Sequence, residues 1–403
     1  MIAKTPLKAG CAGLVLALGL GAAASAQDAS KTYKGAPEFQ FGELKIKPRG
    51  RIFLDQVWQD VDRETGADED LEDGRVRMAR VGVQGSYGDH LSFVVEGDFG
   101  LEQSNWEDVY VEYSPAKGAT FTAGHFKTVG LENMTSDTYT TFMERGPFTD
   151  VLGVGRTLNL QGRLNGKTWT ASVFALGDNI NNPSVPSDRP TGSQEQYGFG
   201  GRVTYAPIVS GDTQAHLGAW VRRRDRADQS NYSYGVRNNT NFGSRYLTTG
   251  GVGVRDTQVG LEGALVHKAW SVQGEWANAH VERIADAEDD VQVWYVFASW
   301  FPTGESRRYQ ADQGQFGRVK VKRPVTQGGA GALELAVRYD SADLTDVGTP
   351  NAGEYSGWTF GANWYLHPYM RVMANYSISQ NELRAPVSDV DVKTFQLRAQ
   401  FDW

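Results

Sequence analysis

The chain has 403 residues, 40% of them hydrophobic, 22% charged and 11% aromatic, with 47 glycines. This is too apolar for a disordered polypeptide, and so many aromatics and glycines favour strands joined by tight turns. A formal net charge of −8 excludes a protein that binds nucleic acid through a basic surface.

Residues 1–26 carry Lys4 and Lys8, an apolar stretch from Cys11 to Ala23, and the small-residue triplet Ala24-Ser25-Ala26. That order predicts a cleaved secretory signal. Cys11 is the only cysteine and precedes the apolar stretch, whereas a lipid-anchoring cysteine follows it. The exported chain is therefore expected to carry neither a lipid anchor nor a disulfide. Beyond Gln27 no apolar run approaches the roughly 18 residues of a membrane helix. Residues 27–42 read as a short N-terminal segment on the periplasmic side, and 43–403 as a long series of strands.

Alternation of period two begins at Leu44, with Leu44, Ile46, Ile52 and Leu54 on one face and Lys45, Lys47, Arg49 and Arg51 on the other. It returns at 90–101, where Leu91, Phe93, Val95 and Phe99 oppose Ser92, Glu96 and Asp98, and at 156–165, where Leu158, Leu160 and Leu164 oppose Asn159, Gln161 and Arg163. At 196–205 Tyr197, Phe199 and Val203 oppose Gln196, Arg202 and Thr204; at 213–226 Ala215, Leu217, Ala219 and Val221 alternate with Gln214, His216, Arg222, Arg224 and Arg226. Further stretches run through 254–267, 269–282, 331–340, 357–366 and 369–380, and the chain ends with Phe395, Leu397, Ala399, Phe401 and Trp403 on one face.

One face of each segment is too apolar for water and the other too polar for a dry core. A soluble sandwich needs the reverse arrangement. The pattern predicts an all-β, transmembrane antiparallel barrel with lipid outside and water inside. At roughly 24 residues per strand and connection it has about sixteen strands, enough to leave an aqueous channel. Trp270, Trp276, Trp294, Trp300, Trp358, Trp364 and Trp403 lie near segment ends or on the apolar faces, where interfacial girdles belong.

The sequence resembles the phosphate-selective porin O and P family over nearly the whole exported chain. The resemblance is carried by Ile46-Lys47-Pro48-Arg49-Gly50-Arg51, Gly124-His125-Phe126-Lys127, Leu131-Glu132-Asn133, Thr141-Phe142-Met143-Glu144-Arg145, Thr303-Gly304-Glu305-Ser306-Arg307, the run from Gly331 to Tyr339, and Asn363-Trp364-Tyr365. It implies a sixteen-stranded outer-membrane porin, usually a homotrimer, embedded in outer-membrane lipid. It further implies an inward-folded third loop that narrows the lumen around an anion site.

Basic residues exceed acids on the polar faces, where Lys45, Lys47, Arg49, Arg51, Arg80, Arg202, Arg338, Arg371 and Arg398 stand against Asp55, Glu96, Glu262, Glu275, Glu334 and Asp340. In Arg222-Arg223-Arg224-Asp225-Arg226, alternate positions put Arg222, Arg224 and Arg226 on one face about 7 Å apart. Such a ladder hands an anion from one guanidinium fork to the next, and the family resemblance implies a ladder of this kind. The alternative places these arginines at the outer end of the strand, against anionic lipopolysaccharide or water. In the segment matching the third loop, residues 130–155, Arg145 and the following Arg156 are placed to clamp an anion, with hydroxyls of Ser136, Thr140 or Thr141 assisting. Alternatively, Glu132, Glu144 and Asp150 pair with these arginines and pin the loop to the wall.

The best-known members of the family also place a lysine on this loop, but no lysine occurs from Thr128 to Gly166. Lys127, or the alternating Arg318, Lys320 and Lys322, are the available substitutes. The expected function is passive, anion-preferring diffusion of inorganic anions, namely phosphate or polyphosphate. A general diffusion or sugar porin of weak ion selectivity is the alternative. The six histidines form no pair with nucleophile or metal spacing and no phosphate-binding loop feeds a helix, so neither catalysis, cofactor nor metal is expected. The acidic runs at 60–73 and 286–290 are expected in turns between strands, away from the lumen.

Overall fold

The computed structural model describes residues 35–65, 69–101, 104–181, 196–226, 232–283 and 287–403. The segment read as a signal lies outside them. Twenty strands follow in chain order: β1 (Phe39–Phe41), β2 (Leu44–Arg63), β3 (Glu69–Tyr87), β4 (Leu91–Asp98), β5 (Asn105–Ala116), β6 (Ala119–Phe126), β7 (Thr157–Asn165), β8 (Trp169–Leu176), β9 (Tyr197–Ser210) and β10 (Thr213–Asp225). The series continues with β11 (Tyr232–Gly235), β12 (Thr248–His267), β13 (Trp270–Arg283), β14 (Glu288–Trp300), β15 (Arg308–Gln310), β16 (Gln315–Gly317), β17 (Ala332–Asp343), β18 (Gly353–His367), β19 (Met370–Leu383) and β20 (Val390–Asp402).

Eighteen of these form one sheet. Without the short β1 and β11, which flank β2 and β12, sixteen antiparallel strands pair with their neighbours. The first and last close the ring, β2 against β20 from Arg51↔Asp402 to Arg63↔Val390. Gly50 and Trp403 add two backbone hydrogen bonds to that seam (3.3 and 3.0 Å). A side chain at Gly50 would collide with the Trp403 indole and the Arg80 carbonyl, so this position requires glycine.

Period two sets the two faces. Leu160, Val173, Phe199 and Leu261 are exposed on the outside, while Glu96, Asp256, Glu334 and Arg338 point inward and are buried. In water the outer band would be untenable; in hydrocarbon it is the favoured surface. Trp270 stacks on Trp300 with ring centroids 5.2 Å apart, and Tyr339 packs on Trp358 at 4.8 Å, aromatic pairs on the outer surface.

Among the described residues the acidic runs lie mostly in strands, and not in the turns that the sequence had led us to expect. Residues 60–63 are the end of β2 and 69–73 the start of β3, paired Val61↔Glu69 through Val57↔Asp73, and Glu288–Asp290 open β14. Glu69, Asp70, Glu72, Glu288 and Asp290 are exposed to solvent there, while the buried Asp289 is paired with Arg283.

Three connections reach the inner faces of distant strands. Residues 127–156, between β6 and β7, include the short helices Leu131–Met134 and Pro147–Leu152. Residues 236–247 hydrogen-bond through Asn238, Asn239 and Thr240 to β17, β18, β19 and β20. Residues 301–331, which carry the hairpin β15–β16, touch β9 and β20 through Gly314 and Arg318.

Candidate functional site

The segment 127–156 has a dry side and a charged side. Val129, Phe142, Phe148, Val151, Leu152 and Val154 belong to one buried cluster with Trp220, Tyr234, Ala277, Tyr295, Phe297 and Tyr355. Removing that apolar surface from water ties the segment to β10–β18 at about 25 cal/mol per Å². Glu275 of β13 accepts hydrogen bonds from the backbone N–H groups of Leu131 and Glu132, each 2.7 Å. It thereby satisfies donors that a helix start leaves open.

On the charged side, Asp137 is the centre. Its carboxylate lies 2.9 Å from Arg80 Nη1 and 3.5 Å from Arg51 Nη1, and it pairs with Arg145. Arg51 also donates to the Ser136 hydroxyl (3.2 Å) and lies 3.3 Å from Glu96; Arg49 is 2.8 Å from Glu96. Arg156 pairs with Asp108 (2.7 Å) and Glu107 (2.5 Å). Lys127 donates to the Asn133 carbonyl (3.2 Å). Burial, then the neighbouring Arg145 charge, pushes its amine well below the usual lysine range against the pull of Asp137. Further along the segment, burial disfavours the Glu144 carboxylate, but Arg77 (3.0 Å) and Arg398 (2.7 Å) outweigh it and hold the group at about 2.

Six of the residues singled out from sequence are thus brought together: Arg49, Arg51, Lys127, Ser136, Arg145 and Arg156. The arginines of β10 share a face as expected but are engaged elsewhere. Arg222 donates to the Leu152 carbonyl (2.7 Å) and to Gln258 (2.8 Å), tying down the end of the second short helix. Arg224 pairs with Asp256 (Nε 2.9 Å) and lies over the Tyr232 ring at 4.2 Å; Arg226 lies over the same ring at 4.9 Å. Arg318 reaches the loop hydroxyl of Tyr139 (3.3 Å) while pairing with Asp402. Lys320 and Lys322 are exposed.

Two cavities adjoin the cluster. One of about 250 Å³, lined by Arg77, Glu144, Arg145, Thr149, Asp150 and Arg237, lies toward the long connections. Another of about 310 Å³, lined by Lys45, Lys47, Gln84, Ser92, Tyr110 and Glu112, lies toward the short turns. Successive inward positions of β2 therefore run Lys45, Lys47, Arg49, Arg51 at roughly 7 Å intervals. A basic ladder is present, but it climbs β2. Arg80 and Asp137, which sequence reasoning left out of the site, are central to it; Arg80 was visible as an inward charge, whereas Asp137 sits in irregular backbone with no periodicity to mark it.

A closed sixteen-strand barrel, apolar outside and charged within, is the architecture of an outer-membrane porin, a diffusion channel. The chain belongs to the phosphate-selective porin O and P family, whose profile matches residues 46–403. It is 30% identical over 371 residues to an uncharacterized protein of Caulobacter vibrioides, covering 89% of this chain and 73% of that one. Among solved structures it resembles the anion-selective porin from Comamonas acidovorans (TM-score 0.56, 13% identity, 90% of this chain and 100% of that one). It is also similar to Salmonella typhi OmpF in complex with daunomycin (TM-score 0.56, 14% identity, 91% and 100%). At these identities the structural likeness speaks for the fold alone.

Proposed function

We propose that this porin is an anion-preferring channel for phosphate or polyphosphate, with residues 127–156 as an inward-folded constriction. The observation that carries the reading is the convergence of Arg51, Arg80 and Arg145 on one point beside Lys127 and Arg156. Guanidinium forks suit phosphate oxygens, and the basic positions of β2 continue the path toward the end bearing the termini, which short turns mark as periplasmic. Acids accompany almost every arginine, so binding is weak at each step and exit is easy, as conduction requires. In this reading Arg49, Arg51, Lys127, Ser136, Arg145 and Arg156 contact the passing anion, while Arg222 and Arg224 position the constriction, with Arg226 stacked beside them. Export by a cleaved signal at 1–26 and assembly as a homotrimer belong to the same proposal.

The same acids favour a second reading, a general diffusion channel of weak ion selectivity. Reversal potentials across a planar bilayer in a salt gradient separate the two. Anion selectivity is expected, with chloride current blocked by added phosphate; cation selectivity would sink the proposal. Arg145→Ala and Arg156→Ala are each expected to raise the phosphate concentration for half-block about tenfold, the effect of about 1.4 kcal/mol.

A further inference from the structure

We propose that the outer side of the hairpin β12–β13 is a phospholipid site, which takes one acyl chain into a groove at Gly263 and Gly274 and holds an anionic headgroup at Lys268, Lys320 and Lys322. The inference does not depend on which ion the channel conducts. A shallow groove of about 540 Å³ opens on the outer face of the wall, lined by Leu261, Gly263, Gly274, Trp276, Gln292 and Trp294. Gly263 and Gly274 face each other across β12 and β13, and Trp276 and Trp294 do so across β13 and β14. Glu262 and Glu275 also border it, but their carboxylates turn inward to Arg202 and to the Leu131 N–H. The groove lies between Trp270, which stacks on Trp300, and Trp276, six positions further along β13, or roughly 20 Å along the strand. The apolar band between two such aromatic levels is the part of the wall that hydrocarbon covers.

The backbone does not require glycine at position 263. A side chain there would meet open space, whereas one at Gly274 would press on the Tyr295 carbonyl at 2.9 Å. Glycine weakens a strand interior and marks places where a ligand or another backbone approaches. What Gly263 supplies is room, and at this depth an acyl chain is what fills it, because an empty hollow forfeits the dispersion contacts of Leu261 and both indoles. Below the groove, the β12–β13 turn carries the exposed Lys268. Its neighbour Ala269 accepts from the Phe301 N–H (2.9 Å) and packs against the cluster of Phe301, Val319 and Val321. Burial of Val319 and Val321 turns Lys320 and Lys322 out to solvent beside that turn, where Lys322 also donates to the Gly304 carbonyl. Asp212, whose carbonyl accepts from the Lys268 N–H (2.7 Å), is the exposed acid of the adjoining turn, and Glu305 is buried. Three ammonium groups against one exposed carboxylate, next to Trp270, suit the phosphate of a lipid in the periplasmic leaflet. Lys268 lies five positions beyond Gly263, roughly 17 Å along the chain, so one lipid can reach both.

The test uses the full-length porin in detergent, equilibrated with equal amounts of phosphatidylglycerol and phosphatidylcholine, and native mass spectrometry to count the lipids that stay bound. Wild type is expected to retain one phospholipid per protomer, the anionic one several-fold in excess. Gly263→Phe and the smaller Gly263→Val, which fill the groove, should retain neither. The triple variant Lys268→Gln, Lys320→Gln, Lys322→Gln should keep a lipid but lose the preference. Heat unfolding supplies a second readout: phosphatidylglycerol should raise the midpoint of wild type more than that of either Gly263 variant, because a ligand bound only by the folded state stabilises it. A wild type that holds no lipid, or a folded Gly263 variant that holds as much as wild type, overturns the proposal. So does a Gly263→Cys porin that forms disulfide-linked pairs in proteoliposomes, since the groove then faces a second copy. Equal retention of the two lipids by wild type overturns the headgroup assignment. Displacement of the lipid by inorganic phosphate, with an altered phosphate block of chloride current in the triple variant, overturns it too and gives the lysines to the conducted anion.

Discussion

Arg398 illustrates how the interior of this barrel is held. Its guanidinium meets both Asp55 oxygens (2.7 and 2.6 Å), Glu144 (2.7 Å) and the Met143 carbonyl (2.5 Å), and it is buried. Removing one partner of a buried charge network leaves the rest uncompensated, at about 3–5 kcal/mol. Arg398→Gln is expected to lower stability by that order in denaturant unfolding from detergent, and to make single-channel current noisier as the connection 127–156 loosens. At this scale the sequence told which side chains face inward: Arg222, Arg224, Arg338 and Arg398 all do. It could not tell which of them meet water and which meet protein. Arg222 ends on a carbonyl 70 positions away, a contact with no trace in local spacing.

Among elements, strands with clean alternation were legible, as at β7, β9, β10 and β20. Those that escaped have a physical reason. The start of β3 is so acidic that it reads as a loop, and its pairing with β2 shifts register between Phe53 and Leu54. The pairing of β4 with β5 shifts between Val95 and Gly97, and that of β5 with β6 between Tyr113 and Ala116. Such irregularities break period two where the sheet bends. The third connection was recognised by resemblance as residues 130–155, but Glu275, which accepts from the Leu131 and Glu132 N–H groups, and Glu334, which accepts from the Thr141 hydroxyl (3.4 Å), looked like ordinary lumen acids. The loop carries its own pH dependence. Glu144 titrates near 4.5 when unfolded and near 2 when folded, so the stability it contributes is complete above about 4.5 and fades as pH falls toward 2. Single-channel recordings from pH 6 down to 3 should show increasing fluctuation, and Glu144→Gln should show it already at pH 6. A quiet Glu144→Gln channel at pH 6 would remove Glu144 from the anchor.

For the whole molecule, the formal charge of −8 is an average over unlike surfaces. Acids crowd the ends of β2, β3 and β14, while the inward positions of β2 from Lys45 to Arg51 are basic. Fields from the solvated strand ends extend about a Debye length, roughly 10 Å at 0.1 M salt and 3 Å at 1 M. Changing Glu69, Asp70, Glu72 and Asp73 to their amides is expected to raise the anion-to-cation permeability ratio severalfold at 0.05 M salt and to leave it unchanged at 1 M, as measured by reversal potentials. An effect that persisted at 1 M would place those groups in the lumen.

The seam between β2 and β20 also fixes an order of events. β20 closes the ring against β2, and the same strand carries Arg398, which grips Met143 and Glu144 in the middle of the third connection. The ring is not closed, and the connection 127–156 lacks this grip, until β20 is paired. Such long-range pairing is intrinsically slow. Closure of the wall and the Arg398 grip on the connection 127–156 therefore depend on one and the same strand.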